Sequence, residues 1–251
     1  MTSPLEHTHW LPLLGLPLEL RTNSRALSDV LDWEQPLGGW AHLPPALIAP
    51  VPTLQIDVLL GEAHEQIGGM RLFRHGQTAL AGDGPRLLMA QTERGYGMAC
   101  LPAEPLGDAI RAIWELGALL ARGHGRVPVQ AAALELNGRG VLLIGATGDP
   151  LLAACAARGL RLLARNIVHI SDGAGDLRIW GDGAGGDLLS CTGPVTVCLL
   201  ERGAGRASQI IPQPAADVVG LDEAARAVRA AYRLHSGGDL EMAAALIEHV
   251  T

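Results

Sequence analysis

Residues 141–146, VLLIGA, form an unbroken apolar run between a polar turn, NGRG (137–140), and the tripeptide Gly148-Asp149-Pro150. A strand with one wet face alternates apolar and polar residues, whereas a strand with no polar side chain along its length needs cover on both faces. Asp149 suits a helix N-cap and Pro150 the first helical position, so a helix is expected from here to about Arg158, stopped by Gly159. VQAAALEL (129–136), RLLARNIVHI (161–170) and PVTVCLLER (194–202) read as further strands. Two helices, roughly 221–234 and 239–249, are expected to close the chain on either side of Gly237-Gly238. This alternation of strand and helix predicts an α/β fold with helices flanking a core sheet.

The first half reads differently. Residues 1 to about 50 are Pro-rich and irregular, with LPLLGLPLELRT as a short strand interrupted by turns. Ser24 to Trp33 is a helix candidate, capped by Ser24 or Asn23. Between 51 and 102, the runs PTLQIDVLL, MRLFRHG, TALAGD, RLLMAQTE and GYGMACLP are short strands broken by Gly, Asp and Pro. Glu104 to Arg122 is an amphipathic helix, with Ile110, Ile113, Trp114, Leu116, Leu119 and Leu120 at helical spacing. The expected organisation is a β-rich region over 1–103 followed by an α/β domain over 104–251.

Composition narrows the chemistry. The chain of 251 residues is 48% hydrophobic but only 3% aromatic, so Leu, Val, Ile and Ala must build the core. All 19 basic residues are Arg, which excludes Schiff-base chemistry, a lysyl base and the phosphate-gripping Lys of a nucleotide loop. A formal charge of −7 leaves no basic stripe for nucleic acid. No apolar run reaches the roughly 18 residues of a membrane span, and MTSPLEHTHW lacks the features of a secretory signal. Cys100, Cys155, Cys191 and Cys198 lie in apolar surroundings without CxxC spacing and read as reduced thiols, so the expected compartment is the cytoplasm.

The segment VPVQAAALELNGRGVLLIGATG, with the helix ending AARGLRLLARNIVHI, resembles the kinase domain of the HPr kinase/phosphorylase-related family, whose P-loop core is shared with ATP-dependent PEP carboxykinases. The resemblance spans roughly 125–202 well and 203–251 loosely. It implies a His before the Ala-rich strand, a GxxGxGK[ST] loop, and an Asp-Asp pair after the loop helix. Gln130 stands where the His is implied, and an amide cannot act as a base. Gly145, Ala146, Thr147 and Gly148 match the opening of the loop, but the chain then passes straight to Asp149-Pro150, about three residues short of the full pattern. Arg165-Asn166 replaces the Asp-Asp pair, which removes the carboxylates that would hold Mg²⁺ and activate a hydroxyl. A carboxylate at Asp149 would also repel a phosphate by roughly 4 kcal/mol at about 4 Å and an effective dielectric near 20.

Phosphoryl transfer is mostly positioning and electrostatics, so loss of grip, metal and base together leaves little to catalyse it. The resemblance therefore implies a degenerate, catalytically inactive member, with no cofactor, no metal, and ATP binding weak or absent. Such a pseudokinase would act as a binding or scaffolding subunit in a bacterial complex related to peptide modification. Its partner would be a protein, in a hetero-complex or a homo-oligomer. The alternative is an active nucleotide-dependent kinase whose Lys-free loop uses Arg158, Arg161 or Arg165.

Other residues have plainer readings. His7 and His9 could share a metal, but a disordered terminus is the expectation. His169 reads as a hydrogen-bonded strand histidine. Asp172, Asp176, Asp182 and Asp187 lack the calcium-loop order and read as hairpin turns. Arg165 either pairs with Asp149 or binds an anion in the vacated site. Trp10, Trp33 and Trp40 either plug the first half's core or mark a patch that a partner covers.

Overall fold

A computed structural model describes residues 5–34, 53–62, 69–145, 149–173, 176–180, 190–191, 195–202, 207–214 and 228–251. It is mixed α/β, with several sheets and four α-helices among the described residues. The chain divides into two compact units, Met1–Arg126 and Val127–Thr251. The amphipathic helix that follows residue 103 packs on strands of the first unit.

The first unit is built on a seven-stranded sheet. The Pro-rich opening forms a hairpin, β1 (His7–Leu13) and β2 (Leu16–Thr22), with Leu14 and Gly15 at positive φ in the turn. This corrects the expectation of a disordered terminus: the alternation of β1 turns His9 and Leu11 inward, and burial outweighs the local prolines. The helix α1 (Arg25–Glu34) follows, capped by Ser24, whose Oγ accepts the Leu27 N–H at 3.3 Å. Asn23 instead clamps the neighbouring strand by exchanging two hydrogen bonds with the backbone of Leu60, at 2.9 and 3.0 Å. The strands β3 (Leu54–Gly61), β4 (Arg71–His75), β5 (Thr78–Gly82), β6 (Leu87–Gln91) and β7 (Tyr96–Pro102) complete the order β1-β2-β3-β7-β6-β5-β4. The helix α2 (Leu106–Arg122) lies on β3, β7 and β6, burying Ala109, Ile113, Leu116, Gly117, Leu120 and Ala121.

The second unit contains a six-stranded and a four-stranded sheet. Their strands, in chain order, begin with β8 (Val127–Gln130), β9 (Ala132–Leu136), β10 (Arg139–Ile144), β11 (Arg161–Ala164) and β12 (Ile167–Gly173). After these come β13 (Asp176–Trp180), β14 (Ser190–Cys191), β15 (Val195–Arg202), β16 (Gln209–Gln213) and β17 (Val228–Ser236). The larger sheet runs β11-β9-β10-β15-β17-β16 and the smaller β14-β13-β12-β8. Its helices are α3 (Asp149–Ala157) and α4 (Leu240–Val250).

The larger sheet is covered twice, as the apolar run 141–146 demands. Leu142 packs with Val129, Val168, Ile170 and Ile179 of the smaller sheet on one face. Val141 and Leu143 pack with Leu151, Cys155, Ala243 and Ile247 of the helices on the other. Each such fully buried aliphatic side chain contributes about 1.5–3 kcal/mol of transfer free energy.

Two expectations are corrected here. The helix expected over roughly 221–234 is contradicted at its described end: Val228–Ser236 is a strand, parallel to β15 and antiparallel to β16. The single strands expected at 129–136 and 161–170 each bend into two. β8 pairs with β12 in one sheet while β9 pairs with β11 in the other, so this antiparallel ribbon turns a corner between the sheets.

Candidate functional site

The corner of that ribbon is where the sequence places its chemistry. Gln130 ends β8 and lies opposite Ile167, and the next residue, Ala131, donates its N–H to the Asn166 carbonyl at 3.1 Å. Arg165 and Asn166 are the two residues between β11 and β12. On the neighbouring strand Leu143 pairs with Ala132, so Ile144 and Gly145 emerge at the same end of the sheet. Register alone thus gathers Gln130, Gly145, Arg165 and Asn166, which lie up to 36 positions apart in sequence, at one sheet end. All four are exposed there.

Gly145 has a specific reason to be glycine. Its φ is +122°, and a Cβ would stand 2.7 Å from the Leu200 carbonyl oxygen. The rest of the loop remnant, Ala146, Thr147 and Gly148, lies outside the described residues. So does the side chain of Asp149, the first residue of α3, and with it the expected Arg165–Asp149 pairing.

The other arginines considered for a phosphate are committed elsewhere. Arg158 Nε donates to Glu248 of α4 at 2.6 Å, and Arg161 Nε to Glu135 of β9 at 2.9 Å. Arg161 also begins β11, at the opposite end of that strand from Arg165.

His9 is buried, with Nε2 and Ser28 Oγ 2.9 Å apart, which ties β1 to α1. No group of three metal-ligating side chains occurs among the described residues. His169 sits within β12, opposite Trp180 and Pro128. Asp172 and Asp176 fall on the β12–β13 hairpin, where Gly173 pairs with Asp176, while Asp182 and Asp187 lie outside the described residues. Trp10 is 53% exposed rather than a core plug. Trp40 and the side chain of Trp33 lie outside the described residues. Burial pushes the Cys155 thiol up to about 11 and the Cys198 thiol up to about 12.

A polar cluster that the sequence reading missed lies in the first unit. Asp57, buried in β3, receives Arg21 Nε and Nη2 at 2.7 Å each, the Tyr96 hydroxyl at 3.0 Å and Gln55 Nε2 at 3.3 Å. Burial drives its carboxyl upward, but hydrogen bonds from Arg21, Tyr96 and Gln55, with the charge of Arg21, outweigh that and hold it below the usual range. The signal available was a lone acid inside the apolar run LQIDVLL. With every partner bonded, the cluster fastens β2, β3 and β7 and offers no open position to a ligand.

No protein-family model matches the sequence, and no curated protein matches it. Among solved structures, a similar one is the HPr(Ser) kinase/phosphatase from Coxiella burnetii, with a TM-score of 0.33 and 11% identity over 49% of this chain and 95% of that one.

Proposed function

We propose that this chain is a degenerate HPr-kinase-like protein that performs no phosphoryl transfer and serves as a binding or scaffolding subunit in a bacterial protein complex. The observation that carries the reading is the residue content of one sheet end. Gln130, Gly145, Arg165 and Asn166 converge there by register, and none of these four is a base or a metal-binding carboxylate; Glu201, which the parallel strand β15 brings to the same end, lies 3.4 Å from Arg233 Nε and 3.5 Å from His235 Nδ1. The chain has no Lys to grip a phosphate, and two of the arginines considered in its place, Arg158 and Arg161, are held by Glu248 and Glu135. Such an end can present a surface, but it lacks the charge pattern that neutralises a transferring phosphoryl group.

Calorimetric titration of the full chain with ATP and Mg²⁺ tests this. The expected result is millimolar or weaker binding and no ADP released on incubation. Micromolar binding with ADP release would overturn the proposal and establish a Lys-free kinase in its place.

A further inference from the structure

β4 is one edge of the seven-stranded sheet, and among the described residues no strand pairs with its outer side. Thr92 donates its N–H to the Gln77 carbonyl at 3.2 Å, and Ala79 pairs with Ala90, so the odd-numbered residues of β5 turn their backbone groups toward β6. Thr78, Leu80 and Gly82 therefore bond to their partners on β4, which are His75, Phe73 and Arg71. The N–H and C=O groups of Leu72 and Arg74 are left directed outward, with no described partner. The opposite edge, β1, is closed in a different way: it carries Pro12, which has no N–H, and buries His9, Leu11 and Leu13.

The side chains of β4 distinguish what can cover it. All five are exposed. Leu72 is 72% exposed and Phe73 65%, and as neighbours in a strand they point to opposite faces. Leu72 stands at the rim of a groove floored by Ala79, Ala81 and Leu88 and walled by Leu119 of α2. Phe73 lies on the other face opposite Leu80, with Leu87 nearby on β6; both leucines are exposed. A body resting on one face would cover only one of the two side chains. A strand added along β4 sets its own alternating side chains beside both.

Charge sets the chemistry of that strand. Arg71 and Arg74 form no ion pair with a described residue, and Arg74 Nε has only the Gly76 carbonyl, at 3.4 Å. Arg71 and His75 flank Phe73 on one face, and Arg74 follows Leu72 on the other. An antiparallel peptide reading acid, acid, aromatic, aliphatic, acid would meet His75, Arg74, Phe73, Leu72 and Arg71 in turn, and opposite charges and aromatic pairs across strands are stabilising. The carboxylate of the groove, Glu115, stands on α2, and α2 packs on β6, two strand spacings inside the edge. A second copy of β4 would set Arg71 against His75 and Arg74 against Leu72, and it brings no acid. The whole chain carries a formal charge of −7, so an acidic peptide is drawn to this edge and not to the protein at large.

We infer that β4 is a docking edge for an extended acidic segment of a partner protein, which joins the seven-stranded sheet as a further, antiparallel strand. The inference concerns the first unit and goes beyond the proposed function; the ATP titration bears on the second unit, so either can fail alone. The test is fluorescence anisotropy of the full chain with a labelled peptide, Glu-Glu-Phe-Val-Glu between glycines. Saturable binding in the micromolar range is expected. Arg71→Glu and Arg74→Glu, both exposed changes, are expected to keep the circular dichroism spectrum and weaken binding about tenfold, with recovery when the facing peptide residue is Lys. Methylating the peptide nitrogen opposite Leu72 or Arg74 removes a hydrogen bond to β4 and is expected to abolish binding. Methylating the nitrogen opposite Phe73, which points away from β4, is expected to change affinity by no more than about twofold. Absence of binding at millimolar peptide would overturn the inference. So would equal binding of a scrambled peptide of the same composition, indifference to the position of the methyl group, or full affinity in both charge-reversed variants. A chain that instead pairs with itself, as a dimer in sedimentation that Phe73→Glu dissociates, would also overturn it.

Discussion

The end of β10 and the backbone of β15 meet so closely at Gly145 and Leu200 that a Cβ on Gly145 would stand 2.7 Å from the Leu200 carbonyl oxygen. Gly145 also holds φ at +122°, a conformation that side chains resist. Both penalties fall on Gly145→Ala, which is expected to cost on the order of 3 kcal/mol. Gly138 provides the contrast: its φ is +81°, but nothing lies within 4 Å of a Cβ there. Gly138→Ala should cost about 1 kcal/mol. Urea unfolding of the two variants measures the difference, and equal losses would refute the close approach.

Acid should unfasten the first unit. A carboxyl held below its ordinary range adds stability that is present above its unfolded value and disappears as pH falls through the folded one. Asp57 is such a group, and so is Asp83, whose side chain is buried against Arg86 and held down chiefly by its hydrogen bonds. Melting temperature should therefore fall from about pH 4 downward. Asp57→Asn is expected to melt lower at pH 7 but to lose less on going to pH 3. Parallel pH curves for Asp57→Asn and the unmodified chain would show that Asp57 is not a contributor.

The thiols should separate by location. Cys155 and Cys198 are buried with raised pKa values of about 11 and about 12, so little thiolate exists near neutrality. Cys100 is only partly buried, although burial raises it too. Alkylation of the native protein at pH 8, mapped by mass spectrometry, should label Cys100 before Cys155 and Cys198, which are spared until denaturant is added. Early labelling of Cys198 would mean that the core between the larger sheet and its helices opens readily.

Much of this fold was legible because burial and local pattern agree. The run 141–146 announced a strand covered on both faces, and Ser24 announced the start of α1. Val228–Ser236 was not legible. Its buried residues Ala231 and Leu234 are three apart, which fits one helix face, but in a strand that spacing means opposite faces. Ala231 packs toward the smaller sheet and Leu234 toward the helices, so the decisive information lay in the two layers flanking β17. The bend at Arg165-Asn166 was hidden for a similar reason. Nothing local breaks RLLARNIVHI; the break comes from a partner strand that turns the same corner at Ala131. Gln130, Arg165 and Asn166 were identified one by one in sequence, but only the register shows that they share a sheet end with Gly145.

The docking of α4 rests on a cap that can be tested by chemistry at one atom. Asp239 Oδ1 accepts the Met242 N–H at 3.0 Å, while the Asp239 carbonyl accepts the Ser208 hydroxyl at 3.1 Å. Ser208 Oγ in turn accepts the Gly237 N–H at 3.2 Å, so the turn before α4 is tied to the start of β16. The helix these bonds position buries Ala243, Ala244 and Ile247 against the larger sheet. Asp239→Ala removes the side-chain acceptor and should cost about 1 kcal/mol in denaturant unfolding. Asp239→Asn keeps an acceptor without the charge and should cost much less. If Asn behaves like Ala, the interaction of a negative charge with the helix dipole, rather than the hydrogen bond, stabilises this end, and the loss should then shrink as salt is added.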